Sequence, residues 1–201
     1  MKKERCAIVG DSAFVNELEQ IARLNGYAQI DTYPENGLAD LIIKLSQYDQ
    51  VVLGSQDARL NLSFYRELKA LNAPLHPLIH PTSYIAQDAK IGEACVIGIS
   101  VQIQERCQIG VCSVVNASVV IEQDCVVGNG VYLGAHSGLA QQVTVGDMCW
   151  MGKGSLVMAK RKVGNYASIG SGAFVMEDVP DDGEVEGEGS YGMTGYCSCC
   201  Y

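Results

Sequence analysis

Between Ile85 and Pro180 an aliphatic residue recurs at every sixth position, separated by polar, small or turn-forming residues. The recurring positions are Ile85, Ile91, Ile97, Ile103, Ile109, Val115, Ile121, Val127, Leu133, Leu139, Val145, Met151, Val157, Val163, Ile169 and Val175. No insertion breaks the register. A six-residue period predicts a parallel β-helix, in which each hexad forms one flat face of a triangular coil. The aliphatic points inward and stacks on its equivalents in the coils above and below, so the core is quasi-one-dimensional. The fifth residue of each hexad is mostly small or β-branched, as in Ala89, Cys95, Val101, Cys107, Ser113, Val119 and Cys125. Glycine follows the aliphatic at Gly92, Gly110, Gly128, Gly146 and Gly164, once per three-hexad turn. These glycines are expected to supply the positive φ of a corner.

The first eighty residues follow a different rhythm. Arg5 to Val9 is a short apolar run closed by Gly10; Asn16 to Leu24 has helical spacing and stops at Asn25-Gly26, a helix-ending signal. Ala28 to Thr32 reads as a second strand, Leu38 to Ser46 as a second helix, Gln50 to Gly54 as a third strand and Leu60 to Leu71 as a third helix. Leu75 to Ile79 leads into the coil. Strands alternating with helices predict a small parallel α/β (Rossmann-like) domain. The turn where such a sheet often takes a nucleotide reads Gly10-Asp11-Ser12-Ala13-Phe14. With one glycine, and Asp11 where a phosphate would approach, it is read as an ordinary turn with Asp11 or Ser12 as N-cap. The predicted organisation is an α/β domain over 1–79, a β-helix over 80–180 and a tail over 181–201.

Charge sharpens the tail. The chain carries a formal charge of −9, yet seven acids and no Lys or Arg lie from Glu177 onward. No basic patch remains for a phosphate backbone, which argues against nucleic acid as a partner. No apolar stretch is long enough to span a bilayer and Met1 to Arg5 leads into a strand, so a cytoplasmic protein without a membrane partner is expected. Nine cysteines would suggest disulfides in a secreted protein. Cys95, Cys107, Cys125 and Cys149, however, all fall on the small fifth position, where a thiol acts as a small hydrophobe.

An α/β domain, the junction Leu78-Ile79-His80-Pro81-Thr82-Ser83, the pair Val115-Asn116 and the segment Asp124-Cys125-Val126-Val127-Gly128 together resemble a known family. It is the NeuD/PglD-like group of sugar O- and N-acyltransferases, which includes sialic-acid O-acetyltransferases and bacillosamine N-acetyltransferases. The resemblance runs over roughly residues 5–180. It implies a left-handed β-helix, a homotrimer, acetyl-CoA in the groove between neighbouring coils, where Gly134, Gly152 and Gly170 would line it, and an N-terminal domain that helps bind a nucleotide sugar. It also implies a histidine general base flanked by carboxylates, because imidazole titrates near neutral pH.

The stretch matching that base is Val120-Ile121-Glu122-Gln123-Asp124-Cys125. Carboxylates flank the position, but Gln123 occupies it, and a carboxamide has no usable proton affinity near pH 7. Of the three histidines, His80 belongs to the junction and is read as structural, and His76 as a loop or strand residue. His136, fourth in its hexad, points outward and is the candidate substitute base. The family's closing Ala-Gly-Asn-Pro-Ala segment is also missing after Val175 to Pro180.

The tail is Gly, acid, Ser/Thr and Cys with few apolar residues, a composition that predicts disorder. Its last dozen residues hold Ser190, Thr194, Cys197, Ser198, Cys199 and Cys200, which resemble the core of a lanthipeptide- or azole-type precursor peptide. Cys-Ser-Cys-Cys could instead hold a soft metal, though its spacing is not that of a zinc site, so no metal is assigned; a cysteine-rich end without a role is the third reading. Two functions are carried forward. In the first, the chain is an inactive acyltransferase-like scaffold without cofactor, leading a core peptide that a modifying enzyme and a leader protease would process before export. In the second, it is an acetyl-CoA-dependent (nucleotide-)sugar O- or N-acetyltransferase with a displaced base, with Glu122, Asn116 and His136 as its groups.

Overall fold

A computed structural model describes residues 4–10, 13–55 and 57–187. The first unit has a three-stranded parallel sheet of order β2-β1-β3, with β1 at Arg5–Val9, β2 at Gln29–Tyr33 and β3 at Gln50–Leu53. Helices α1 (Ala13–Leu24), α2 (Leu38–Ile43) and α3 (Ala58–Ala70) pack around it. The second helix is shorter than its spacing suggests; a separate 3-10 turn at Leu45–Gln47 takes up the remainder.

From Leu78 the chain winds into a parallel β-solenoid of about six turns, matching a left-handed β-helix. Its three faces carry seven, six and five two-residue strands. Every first-position aliphatic of a hexad from Ile97 to Val175 is buried, Ile97, Ile103, Ile121, Leu133, Met151 and Ile169 completely. Each such side chain contributes about 1.5–3 kcal/mol of hydrophobic stabilisation. Three corners separate the faces. Corner I leads from the seven- to the six-stranded face, corner II from the six- to the five-stranded face, and corner III back to the seven-stranded face.

The second-position glycines do not supply the positive φ expected of them. From Ala94 to Gly172 the left-handed residue is always the fourth of its hexad, with φ between 55° and 70°. The second-position glycines at corner III are needed for space. A Cβ on Gly110 would lie 2.6 Å from Asn129 Oδ1, one on Gly128 2.5 Å from Asp147 Oδ1, and one on Gly146 2.7 Å from Asn165 Oδ1. Those side chains come from the next coil and accept backbone N–H groups: Val111 N to Asn129 at 2.9 Å, Asn129 N to Asp147 at 2.7 Å, Asp147 N to Asn165 at 2.9 Å and Asn165 N to Asp181 at 2.7 Å. Glycine leaves room for a ladder of Asn and Asp that fastens coil to coil.

The fifth-position cysteines are buried as expected, and they also act as donors. Cys95, Cys107, Cys125 and Cys149 give S–H bonds to the corner carbonyls of Gly110, Glu122, Ala140 and Gly164 at 2.8–3.1 Å. Ser113 does the same to Gly128 at 2.9 Å. Burial pushes the Cys95 thiol up to about 12, which makes it inert.

The coil also outlasts its sequence pattern. After Val175 the next inward residues are Val179 and Val185, so the period skips two residues and then resumes. Val163 pairs with Val179 and Ser168 with Glu184, sixteen residues apart in the chain. Residues 181–187, read from composition as disordered tail, therefore extend the coil, because Val185 still reaches the core. Arg161, an unexpected cation at a fifth position, is half-buried beneath the skip and reaches Asp178 at 3.9 Å.

The α/β unit lies on the seven-stranded face, where Leu78, Val96 and Val114 pack against Ile8, Val15 and Leu18. At corner III, Tyr65 and Lys69 of α3 donate to Glu93 at 2.8 and 2.6 Å, and the Glu93 carboxyl is held below its ordinary range, chiefly by Lys69. Asn25 Nδ2 donates to Ile79 O at 2.8 Å and Gln50 Nε2 to His76 O at 2.6 Å. These bonds make the two units one body.

Candidate functional site

The order β2-β1-β3 creates a topological switch between β1 and β3, the place where doubly wound sheets take ligands. A cavity of about 220 Å3 lies there, between the α/β unit and the coil. Phe14 of α1, Ser55 after β3, and Ala58 and Asn61 of α3 form one wall. Cys112, Val114, Gly130, Tyr132 and Trp150 of the coil form the other. Asn61 is buried and holds the loop shut, accepting from Ser55 N at 3.2 Å and donating to Ser55 O at 2.9 Å. Asp57 caps α3 by accepting from Arg59 N at 2.8 Å. Tyr132 and Trp150 stack with planes 5° apart and centroids 6.2 Å apart.

The residues singled out by sequence lie elsewhere. Gln123 is half-buried on corner II, and its carbonyl accepts from Gln142 N at 3.0 Å. Glu122 Oε2 accepts from Gln141 N in the next coil at 3.0 Å. Asp124 takes two bonds from Arg106 in the previous coil, at 2.6 and 2.9 Å, and Arg106 N in turn donates to Asp88 at 3.2 Å. The Arg106 guanidinium holds the Asp124 carboxyl below its ordinary range. Both carboxylates beside Gln123 thus fasten coils together.

His136 is exposed on corner I. In its own coil it is five residues short of Gln141 on corner II, about 16 Å of extended chain, so it does not reach the Gln123 position of the same chain. Gly134, Gly152 and Gly170 stack at corner I for lack of space: a Cβ on Gly134 would meet Met151 O at 2.7 Å, and one on Gly152 would meet Gly170 C at 2.7 Å. His80 Nδ1 accepts from Thr82 N at 3.2 Å, and Thr82 Oγ1 from Ser100 N at 3.1 Å, a structural tie between the first two coils. Asp11, Ser12 and the tail residues Ser190, Thr194, Cys197, Ser198, Cys199 and Cys200 lie outside the described residues. Among the described residues no group of His, Cys, Asp and Glu could hold a metal ion, and no helix is long and apolar enough to cross a membrane.

Cavity, His136 and Gln123 therefore occupy three different edges of one triangular coil, with Gln123 opposite the face that carries the cavity. Sequence reasoning placed Phe14 beside the nucleotide turn but missed the opposite wall, since Tyr132 and Trp150 are separated from it by more than a hundred residues. The only early signal was the chain's single tryptophan, on an outward-facing position of the coil.

No family model matches the chain, and no curated protein does. Solved structures do. PerB from Caulobacter crescentus, in complex with CoA and GDP-perosamine, has a TM-score of 0.83 at 23% identity, covering 90% of this chain and 93% of that one. The acetyltransferase domain of PglB from Neisseria gonorrhoeae FA1090, in complex with acetyl coenzyme A, gives 0.84 at 20%, with 91% and 96% covered. WeeI from Acinetobacter baumannii AYE gives 0.79 at 18%, with 92% and 97% covered. At such identities the likeness concerns the backbone: the chain has the two-part fold of these proteins, the α/β unit together with the coil.

Proposed function

We propose that the chain is an acetyl-CoA-dependent sugar N-acetyltransferase that works as an oligomer and takes a nucleotide-linked amino sugar. The observation that carries this reading is the extent of the match, which covers nine-tenths of both chains in a protein holding CoA and GDP-perosamine. Oligomerisation follows from the placement of groups, because a ligand in the cavity of one copy meets a corner II only from another copy. The six-stranded face supports this with an uncovered apolar pair at one end, Leu156 and Phe174, which stand in register and are 37% and 49% exposed. The resemblance implies a trimer.

Gln123 selects the acceptor. A hydroxyl must lose its proton as it attacks a thioester, and the carboxamide cannot take it. An amine with a pKa near that of an α-amino group, about 8, carries a free lone pair in part of its population at neutral pH. It attacks unaided, the thioester C–S bond breaks, and the amine proton passes to solvent as CoA leaves. In this mechanism Gln123 positions the amine, while Glu122 and Asp124 hold the corner rigid. Acetyl transfer should rise tenfold per pH unit until the acceptor's own pKa and then level, with no lower enzyme pKa. The check is thioester consumption from pH 6 to 9 with an amino-sugar nucleotide and its hydroxyl analogue. Equal rates for the two, or no transfer to either, would sink the proposal.

A second reading is favoured by one observation, the engagement of both flanking carboxylates in coil stacking. There the chain is a scaffold without turnover, and residues 190–200 are a peptide for modification. Intact mass of the chain from its own host decides: loss of whole waters at Ser190, Thr194 or Ser198 supports it, and an unmodified mass excludes it.

A further inference from the structure

The outward column of the seven-stranded face changes character along its length. Leu78, Val96 and Val114 are covered by the α/β unit; Tyr132 and Trp150 then stack at the mouth of the cavity, and Ser168 follows in register with Trp150. One face of the indole lies against Tyr132. The residue above the other face is a serine, too short to cover a ring, and Trp150 remains 45% exposed although it is the chain's only tryptophan. The column is thus an aromatic stack with one place open, beside a cavity at the switch point of the sheet. That cavity, at about 220 Å3, falls below the roughly 300–1,000 Å3 of sites that enclose whole drug-sized ligands. Part of a larger ligand would have to lie outside it.

We propose that a heteroaromatic base occupies the open place, stacking on Trp150 over Ser168, and that Trp150 is a binding residue for the base of a phosphate-bearing nucleotide. Stacking tolerates any base, since each has a π-face. The inference rests on the proposed acetyl transfer for its choice of ligand. Two sources share the required chemistry, the nucleoside diphosphate of the acceptor and the adenine of CoA, and the first is favoured because the platform continues the cavity.

Trp150 reports directly on this place. Full-length chain is titrated separately with GDP, UDP and CoA, following tryptophan fluorescence and calorimetry. Saturable quenching with a midpoint equal to the calorimetric Kd is expected for a nucleoside diphosphate; quenching by CoA alone would assign the platform to the donor. Trp150→Ala should weaken that ligand by about 5- to 150-fold, the range for base–aromatic stacking, whereas Trp150→Phe should stay within a few-fold. Ser168→Tyr, which leaves Trp150 intact and fills the open place, should abolish the quench. Binding without quenching, or an unchanged Kd in both Trp150→Ala and Ser168→Tyr, overturns the proposal while leaving acetyl transfer intact. Absence of any nucleotide binding overturns it together with the proposed function.

Discussion

Corners II and III of the coil are built on the same hexad geometry and carry carboxylates at neighbouring positions, yet they solve the stacking problem differently. Corner III uses the Gly-Asx pairs Gly128-Asn129, Gly146-Asp147 and Gly164-Asn165: a glycine vacates space and the Asn or Asp of the next coil fills it, accepting a backbone N–H. Corner II has no glycine. Glu122 accepts the next coil's N–H with a longer side chain, and Asp124 is clamped by Arg106. The difference teaches that an acid beside the candidate catalytic position is not by itself catalytic apparatus. On corner III the same chemistry is purely structural, and on corner II the bonds made are of the same kind.

The most disruptive way to break the parallel is to fill the vacated space. Gly128→Ala would place a Cβ 2.5 Å from Asp147 Oδ1 and 2.7 Å from Gly146 C, closer than real contacts allow. Overpacking of this kind costs about 1–3 kcal/mol, and here the ladder bond is also lost, so a destabilisation near the top of that range is expected in urea unfolding. Gly154→Ala is the control. It has φ of +68° and nothing within 4 Å, so only the left-handed conformation is charged, about 1–2 kcal/mol. Equal losses at the two sites would mean that the neighbours of Gly128 give way to a Cβ and that this glycine is not kept for space.

A smaller perturbation removes one rung. Asp147→Ala leaves Asn129 N, now bonded at 2.7 Å, without its acceptor. The expected loss is about 1 kcal/mol, with Asn129 exchanging its amide hydrogen faster than Met148, whose N–H is bound to a backbone carbonyl. Uniform exchange at both would deny the ladder any local role.

The six-residue period made the coil legible in advance because each inward position repeats the same environment, and sixteen identical choices leave little to chance. It could not show what the glycines are for. Space and positive φ both favour glycine, and only the position of Asn129 and Asp147 one coil away separates them. The skip after Val175 was hidden for a related reason: composition had already marked the residues from Asp181 as tail, although Val185 follows Val179 at the hexad spacing and still reaches the core. In the site, the hexad located Gln123 and His136 but not their separation, since position within a hexad does not say which corner it falls on until the turns are counted. The cavity depended on the fold bringing Phe14 and Trp150 to the walls of one space, which no local pattern encodes.

The mildest test applies to corner II and turns on proton binding. Asp124 has its carboxyl depressed in the folded chain by Arg106, while in the unfolded chain it titrates near 3.8. A group with a lowered folded pKa binds fewer protons when folded, so its contribution is fully present above the unfolded value and disappears as pH falls through the folded one. The difference in urea midpoint between the native chain and Asp124→Asn should therefore be constant from pH 5 to 8 and shrink below pH 4. Because the pair is partly exposed, it should also shrink with added salt, as screened surface ion pairs do. If the substitution instead leaves stability unchanged at every pH but alters acetyl transfer, Asp124 acts on the reaction, and the likeness between the two corners ends there. If stability follows the predicted curve and transfer to an amine is untouched, corner II is a fastener like corner III, and the chemistry rests on how Gln123 and the bound ring place the acceptor.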